Sequence, residues 1–188
     1  MSTFRNDLQD LVSRHVARAP TQRLLRLVES LSGEEAAPAP QMRDESLPRF
    51  INLGADGRPA AAGAYWAAVY DTRTRLTWTR QALACGEVTH ETAMAAARDV
   101  RLFGHEYWRA PTIQEQLSII DYTRCDPAVD TAHFDGPAGW FWTSTLAAAP
   151  AGYAWYVDLG TGGSGRGYQG YHFLVRAVRA GQALELGI

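Results

Sequence analysis

The residues between His105 and Phe134 include the side-chain types that active sites use. The stretch HEYWRAPTIQEQLSIIDYTRCDPAVDTAHF contains acidic residues, two histidines and a cysteine, which can serve as acids, bases, nucleophiles or metal ligands. The spacing favours a structural explanation, because Thr112 and Glu115 form the Thr-x-x-Glu pattern of a helix capping box. Asp126-Pro127 is a common turn opening. We therefore interpret the stretch as scaffold and predict no catalytic residue in it.

Other motifs that could carry chemistry are incomplete. The segment GTGGSGRGYQG, residues 160–170, is rich in glycine, but a phosphate-binding loop needs a following helix and usually a lysine. Here a strand is predicted to follow, and the chain has no lysine, so we predict a mobile hairpin loop. The histidines lack zinc-type spacing, and no Gly-x-Ser-x-Gly motif occurs.

Calcium is the least implausible metal, because several aspartates could come together in the fold. The Glu-Pro-Asn, Gln-Pro-Asp and Trp-Asn-Asp motifs of sugar-binding C-type lectins are nevertheless missing from the sequence. We predict no metal and no cofactor. The aspartates that could have formed such a cluster are Asp121, Asp126, Asp130, Asp135 and Asp158.

The composition of the 188-residue chain is that of an ordinary globular protein, with 46% apolar and 20% charged residues. A net charge of −2 gives no basic field, so we expect no nucleic-acid partner. No apolar run is long enough to span a membrane, and the N-terminus lacks the apolar segment of a secretory signal. We expect synthesis in a bacterial cytoplasm, with Cys85 and Cys125 as free thiols.

The chain is predicted to begin with a helical arm, residues 1–32, followed by a polar, proline-containing linker, residues 33–46. The two short helices of the arm need a packing partner. The arm therefore serves either docking and oligomerisation or packing against its own domain. We assign residues 47–188 to the main domain, in which residues from about 50 to 182 form one compact unit.

The main domain alternates short aromatic strands with two helical patterns. Residues 65–80 predict a hairpin, and helices are expected near 89–102, capped by Thr89, and near 112–122. Three later strands are expected over 140–145, 154–159 and 172–179. These elements predict an α+β domain with an antiparallel sheet and two helices.

Several motifs also occur in a recognisable order. VYDTRTRLTW is followed by a helix, by YWRAPTIQEQLSIIDYTRCDPAVDTAHF, and then by WFWTST, AWYVDL and VRAVRAGQ. Over residues 66–182 this order resembles the C-terminal domain of Legionella collagen-like adhesins. The resemblance implies a C-type-lectin-like fold, akin to that of formylglycine-generating enzymes and phage variable receptor-binding proteins. The matching positions are Thr74–Trp78, Trp108–Thr112, Asp121, Phe141–Thr145, Trp155–Val157 and Val175–Arg179.

The sequence departs from that family at two related positions. The family often has one cysteine on the first helix and another in the final strand, where this chain has Ala97 and Ala177. The resemblance therefore implies that a disulfide is missing here, which suits a reducing compartment. We also expect the chain to have no signal peptide, in contrast to a secreted adhesin.

The aromatic residues fall into two groups. Trp78, Trp108, Trp142 and Trp155 lie on motif positions and are predicted to fill the core. A second group lies at loops or strand ends beside glycines, where rings either stack on a ligand or pack the loops down. The late loops, 134–139, 146–153 and 160–171, are expected to gather on one side, away from the helices. The predicted ligand- or partner-binding residues are Trp140, Tyr153, Arg166, Tyr168, Gln169 and Tyr171.

These features favour a non-enzymatic binding or structural module. Our preferred hypothesis is a bacteriophage virion protein, in the tail, baseplate or capsid surface, that docks through its arm and is oligomeric in the particle. The displayed domain would bind a receptor, carbohydrate or protein at a cell surface. One alternative is a bacterial adhesin or carbohydrate-binding protein exported without a Sec signal. A formylglycine-generating type of enzyme is a distant second alternative, because the paired cysteines of such a site are missing.

Overall fold

The computed structural model describes residues 47–180, which form two antiparallel sheets and two short helices. This organisation confirms the predicted α+β class with antiparallel strands. The predicted arm, residues 1–32, and linker, residues 33–46, lie outside the described residues. The elements are β1 (Phe50–Leu53), β2 (Ala68–Asp71), β3 (Leu76–Thr79), α1 (His90–Arg98), α2 (Ile113–Ser118), β4 (Trp140–Leu146), β5 (Tyr153–Asp158), β6 (Ser164–Tyr168) and β7 (Val178–Ala180).

The first sheet has the strand order β1-β2-β3-β7. The predicted hairpin forms its centre: β2 and β3 pair from Ala68↔Thr79 to Asp71↔Leu76. The carboxylate of Asp71 stabilises the turn by accepting a hydrogen bond from the Arg73 backbone N–H at 2.9 Å. Strand β7 returns from the far end of the domain to pair with β3.

The second sheet has the order β4-β5-β6, and its two faces pack against different helices. Side chains alternate between the faces along each strand. Trp142 and Ala154 belong to a core cluster with Ala93 and Ala97 of α1, so we call this face the α1 side. The opposite face, which we call the α2 side, places Phe141 and Val157 in a cluster with Ile113 and Ile119 of the α2 region.

Both helices are shorter than predicted. Thr89 is the N-cap of α1 but makes no side-chain capping hydrogen bond, and the helix ends at Arg98. Helix α2 has the predicted capping box of Thr112 and Glu115. It ends at Ser118 because the chain turns away there, with the Asp121 backbone N–H donating to the Ala128 carbonyl at 2.9 Å.

The late strands differ from the prediction in two places. Residues 172–179 do not form one strand: Phe173 and Leu174 make isolated bridges to Val88 and Phe141, and the regular strand begins at Val178. The glycine-rich segment was predicted to be a mobile loop, but Ser164–Tyr168 within it forms β6. The sequence pattern did not predict this strand, because the segment is rich in glycine and glycine is disfavoured in strands.

A buried arginine interrupts the last predicted strand. Arg176 is only 1% exposed, and its guanidinium donates hydrogen bonds to the backbone carbonyls of Thr79 at 2.8 Å, Arg80, and Asp135 at 3.2 Å. Burial lowers the pKa of Arg176 to about 10, although the nearby Asp135 carboxylate opposes this shift. The side chain therefore holds three backbone carbonyls in place inside the protein, one at the end of β3 and two in loops.

The predicted core tryptophans are mostly confirmed. Trp78, Trp108 and Trp142 are buried, whereas Trp155 is partly buried and packs at the edge of a core cluster.

Candidate functional site

A connected series of aromatic rings crosses the second sheet. On the α1 side, Phe173 lies 5.1 Å from Trp140 and 5.0 Å from Tyr156, measured between ring centroids. From Phe173 the series continues to Tyr171 at 6.2 Å and then to Tyr168 at 6.0 Å. It ends at Tyr153, 5.9 Å from Tyr168. We call these six residues the aromatic ladder.

Phe173 is the fixed centre of the ladder. It is only 7% exposed and also contacts the buried Trp142, with a centroid distance of 4.4 Å. Its backbone forms hydrogen bonds with Val88 in both directions. The rings that surround Phe173 therefore rest on a rigid, buried base.

Two glycines in β6 make room for the ladder. A Cβ atom on Gly165 would lie 2.6 Å from the Tyr156 hydroxyl oxygen, and one on Gly167 would lie 2.9 Å from the Phe173 ring. Cβ atoms essentially never approach other heavy atoms so closely, so residues with side chains would displace these rings. The rings of Tyr156 and Phe173 thus pack directly against the backbone of the glycine-rich strand β6.

Three ladder rings are half-exposed: Trp140 at 50%, Tyr168 at 52% and Tyr171 at 55%. Trp140 meets Phe173 nearly edge to face, at an interplanar angle of 83°, and Tyr168 meets Tyr171 at 81°. Such contacts are favourable between aromatic rings and fix their orientation. The surface therefore offers ordered rings for stacking and phenolic hydroxyls for hydrogen bonds.

The structure brings four of the six predicted binding residues into the ladder: Trp140, Tyr153, Tyr168 and Tyr171. Arg166 is not part of the ladder, although it lies on the α2 side with Tyr153 and Tyr168, as the β5–β6 register requires. Its guanidinium lies 5.9 Å from the Trp155 ring centroid and donates to the Ala149 carbonyl at 2.6 Å.

The sixth predicted binding residue, Gln169, forms its main hydrogen bonds through its backbone. Its N–H donates to the Gly152 carbonyl at 2.9 Å, and its own carbonyl accepts from the His90 N–H at 3.0 Å. The side-chain amide makes only a 3.5 Å contact with the Tyr153 carbonyl.

The prediction that the late loops gather on one side is wrong. Antiparallel strands alternate their connections between opposite sheet ends, so residues 146–153 and 169–171 meet at one end, through Gln169 and Gly152. Residues 134–139 and 160–163 lie at the other end, where Gly160 approaches Ala138. The loops also do not avoid the helices, because Gln169 contacts the start of α1.

Two ladder residues, Tyr156 and Phe173, were not predicted. Tyr156 alternates with Trp155 in β5 and stands opposite Trp142 in β4, so strand alternation could have placed it on the α1 side. Phe173 carries no local signal, because its position depends on pairing with the distant Val88.

The five aspartates considered for calcium do not gather at one place. Asp121 and Asp130 share Arg124, with N–O distances of 3.0 and 3.4 Å, while Asp135 pairs with Arg80 at 3.1 Å. Asp158 accepts hydrogen bonds from Gly160 and Thr161 in its own turn. Within residues 47–180, no group of three or more acidic, histidine or cysteine side chains is arranged to hold a metal ion.

A separate cleft of about 490 Å³ lies at the edge of the first sheet and includes Arg49, Asp130 and His133. Several of its polar groups already have partners: Arg49 Nη2 donates to Asp71 and to the Ser118 carbonyl, and His133 Nδ1 lies 2.8 Å from the Asn52 side-chain oxygen. Arg49 Nε is buried without a partner among the described residues. Burial lowers the pKa of His133, against the opposing effect of Asp130. The cleft offers fewer unused groups than the ladder.

The fold and the ladder define a sheet-rich α+β domain that presents an ordered aromatic surface. The family model of the Lcl C-terminal domain matches residues 67–179. This range covers more than half of the chain, so the chain belongs to that family. Comparison with curated proteins finds no matching sequence. Among the described residues, no helix is both long enough and apolar enough to cross a membrane.

Proposed function

We propose that this protein is a non-enzymatic, adhesin-type binding module that binds carbohydrate at the aromatic ladder. Membership of the Lcl C-terminal domain family suggests an adhesin-like surface protein. The observation that carries the proposal is a set of three half-exposed rings: Trp140 and Tyr171, which contact the buried Phe173, and Tyr168, which contacts Tyr171.

The chemistry of the ladder suits sugars. A pyranose presents a face of C–H groups that stacks on an aromatic ring, and its hydroxyls bond to groups at the rim such as tyrosine hydroxyls. Since Phe173 and the β6 glycines already order the rings, binding immobilises few additional rotamers. A rigid aromatic surface therefore supports binding at low entropic cost.

The proposal includes a C-type-lectin-like fold. Two antiparallel sheets with a helix against each face of the second sheet support this assignment in its general layout. Display on a virion, docking through the arm and oligomeric assembly stay predictions, because the arm that motivates them lies outside residues 47–180.

The proposal is tested by measuring binding of the purified full chain to an array of immobilised glycans, with Trp140→Ala and Tyr171→Ala variants beside the parent. Each variant is expected to bind more weakly by about 1–3 kcal/mol, the range usual for a truncated anchor residue. Thermal melts check that each variant is folded.

Tyr107→Ala is the matched control, because Tyr107 is 86% exposed and lies outside the ladder. It is expected to bind like the parent. If the two ladder variants are folded and also bind normally, the ladder rings only pack the domain together, and the proposal fails. If the chain binds cells but no glycan, and the ladder variants abolish cell binding, the ladder recognises a protein instead.

A further inference from the structure

We propose, on the basis of the carbohydrate-binding function above, that the ladder takes an uncharged glycan of several sugar units. The distribution of charge around the rings carries this inference. Such a glycan would stack on the aromatic rings and form hydrogen bonds between its hydroxyls and those of the tyrosines, without an ion pair.

The sheet register shows what lies beside the ladder strands. Trp140 stands opposite Asp158, and Tyr156 stands opposite Trp142 and Gly165. Tyr153 and Tyr168 stand opposite one another. The charged group in direct register with a ladder ring is therefore a carboxylate, which repels sulfate and carboxylate substituents.

The strands that carry the ladder, β4, β5 and β6, contain a single arginine, Arg166. Five of the other eleven arginines between residues 47 and 180 are ion-paired or buried. Four form ion pairs with acidic side chains: Arg49, Arg80, Arg109 and Arg124. Arg176 is buried, and the chain has no lysine. An anionic polymer lying along the rings would thus lose hydration from its charges with little compensation.

Arg166 lies two positions from Tyr168 on the same side of β6. Its guanidinium already donates to the Ala149 carbonyl and lies against Trp155. We therefore assign Arg166 to holding the 146–153 loop, which leads into the ladder residue Tyr153.

The extent of the ladder sets the size of the ligand. Trp140 and Tyr171 are both exposed and are separated by the buried Phe173, which contacts each of them. One sugar ring cannot stack on both exposed rings at once, so an oligosaccharide or polysaccharide fits better than a monosaccharide.

The experiment is affinity electrophoresis of the full chain in gels that contain matched pairs of polymers. The pairs are dextran with dextran sulfate and hydroxyethyl cellulose with carboxymethyl cellulose, supplemented by the neutral polymers galactomannan, xylan and laminarin. The buffer is held at about pH 8, above the ordinary pKa of a histidine side chain. We expect at least one neutral polymer to retard the parent chain. The affinity for that polymer should be at least about fivefold weaker after Trp140→Ala or Tyr171→Ala. Retardation should be the same at about 0.05 and about 0.5 M NaCl, because no ion pair is screened.

The outcomes separate this inference from the proposed function. Binding confined to the anionic polymers, or binding lost in salt, overturns the uncharged ligand and leaves carbohydrate binding in place. Binding to a neutral polymer that is unchanged in both ladder variants overturns the assignment to the ladder. If no polymer retards the folded parent and the glycan array is also negative, both proposals are overturned.

Discussion

At the residue scale, the acidic groups that resemble an active site are used to hold the scaffold. Glu115 accepts a hydrogen bond from the Thr112 backbone N–H at 2.7 Å and binds both guanidinium nitrogens of Arg109 at 2.7 and 2.6 Å. Burial alone would raise the pKa of Glu115, but the hydrogen bonds from Arg109 and Thr112 outweigh burial and lower the pKa. The carboxylate is thus held in its charged form at the start of α2.

This arrangement predicts a pH-dependent effect of Glu115→Gln. A carboxylate whose pKa is lowered by folding stabilises the protein above the unfolded pKa, and that stabilisation is lost as pH falls through the folded pKa. The variant should be less stable than the parent by about 1 kcal/mol at neutral pH. Glutamine can still accept from the Thr112 N–H, but it lacks the charge that strengthens this bond and the bonds to Arg109, and the ion pair with part-exposed Arg109 is itself screened.

Urea unfolding at about pH 7 and about pH 3 measures this difference, which should shrink at the lower pH as protonation of the parent carboxylate sets in. Gln114→Ala, at an exposed position of the same helix, is the control and should show no such pH dependence. An equal loss of stability for Glu115→Gln at both pH values would contradict the assignment.

At the element scale, β6 shows how packing can override local preference. Its sequence, Ser-Gly-Arg-Gly-Tyr, is typical of a loop, and intrinsic propensity disfavours a strand there. The strand forms because glycines at 165 and 167 let the rings of Tyr156 and Phe173 lie directly on its backbone. The same glycines thus create both the strand and the surface above it.

Gly167→Ala is expected to destabilise the domain by about 1–3 kcal/mol, the usual cost of overpacking a core. The added methyl group would lie 2.9 Å from the Phe173 ring and 3.2 Å from the Trp142 ring, so one of them has to move. Chemical denaturation gives the loss of stability, and near-ultraviolet circular dichroism reports the displaced rings.

Gly163→Ala is the matched control for this substitution. Its methyl group would meet the Thr161 hydroxyl at 3.4 Å, an ordinary contact, so stability should be nearly unchanged. If the two variants behave alike, close packing over β6 is not what requires glycine at 167.

The elements that the sequence predicted well are those defined by local patterns. The capping box of α2 and the β2–β3 hairpin rest on neighbouring residues, and both form as expected. Strand β6, the break at Arg176 and the role of Phe173 depend on partners distant in sequence, which local patterns do not contain. For the same reason four ladder rings were predicted as exposed aromatics, but their connection through Phe173 was not.

At the scale of the whole molecule, the described domain is held together by packing and hydrogen bonds without a crosslink. Cys85 and Cys125 are both unpaired and exposed, as predicted. Ala97 and Ala177 are fully buried members of one core cluster. Apolar packing therefore occupies the region in which the family resemblance places a disulfide.

The melting temperature should accordingly be the same with and without a reductant, since removal of a native disulfide would cost about 2–5 kcal/mol. Differential scanning fluorimetry makes this comparison. Thiol titration of the unfolded chain should find both cysteines free, whereas an intact mass two hydrogens lower, from a Cys85–Cys125 bridge, would refute it.

The bonds made by Arg176 have a consequence for how the protein is made. This side chain binds the carbonyl of Thr79, 97 residues earlier, and β7 then completes the sheet beside β3. While the ribosome is still adding these last residues, β3 has one open edge and the Trp78 side of the core is uncovered. Domains with such distant pairings fold slowly, over milliseconds to seconds, so the nascent chain needs protection from aggregation until nearly all of the domain has been translated.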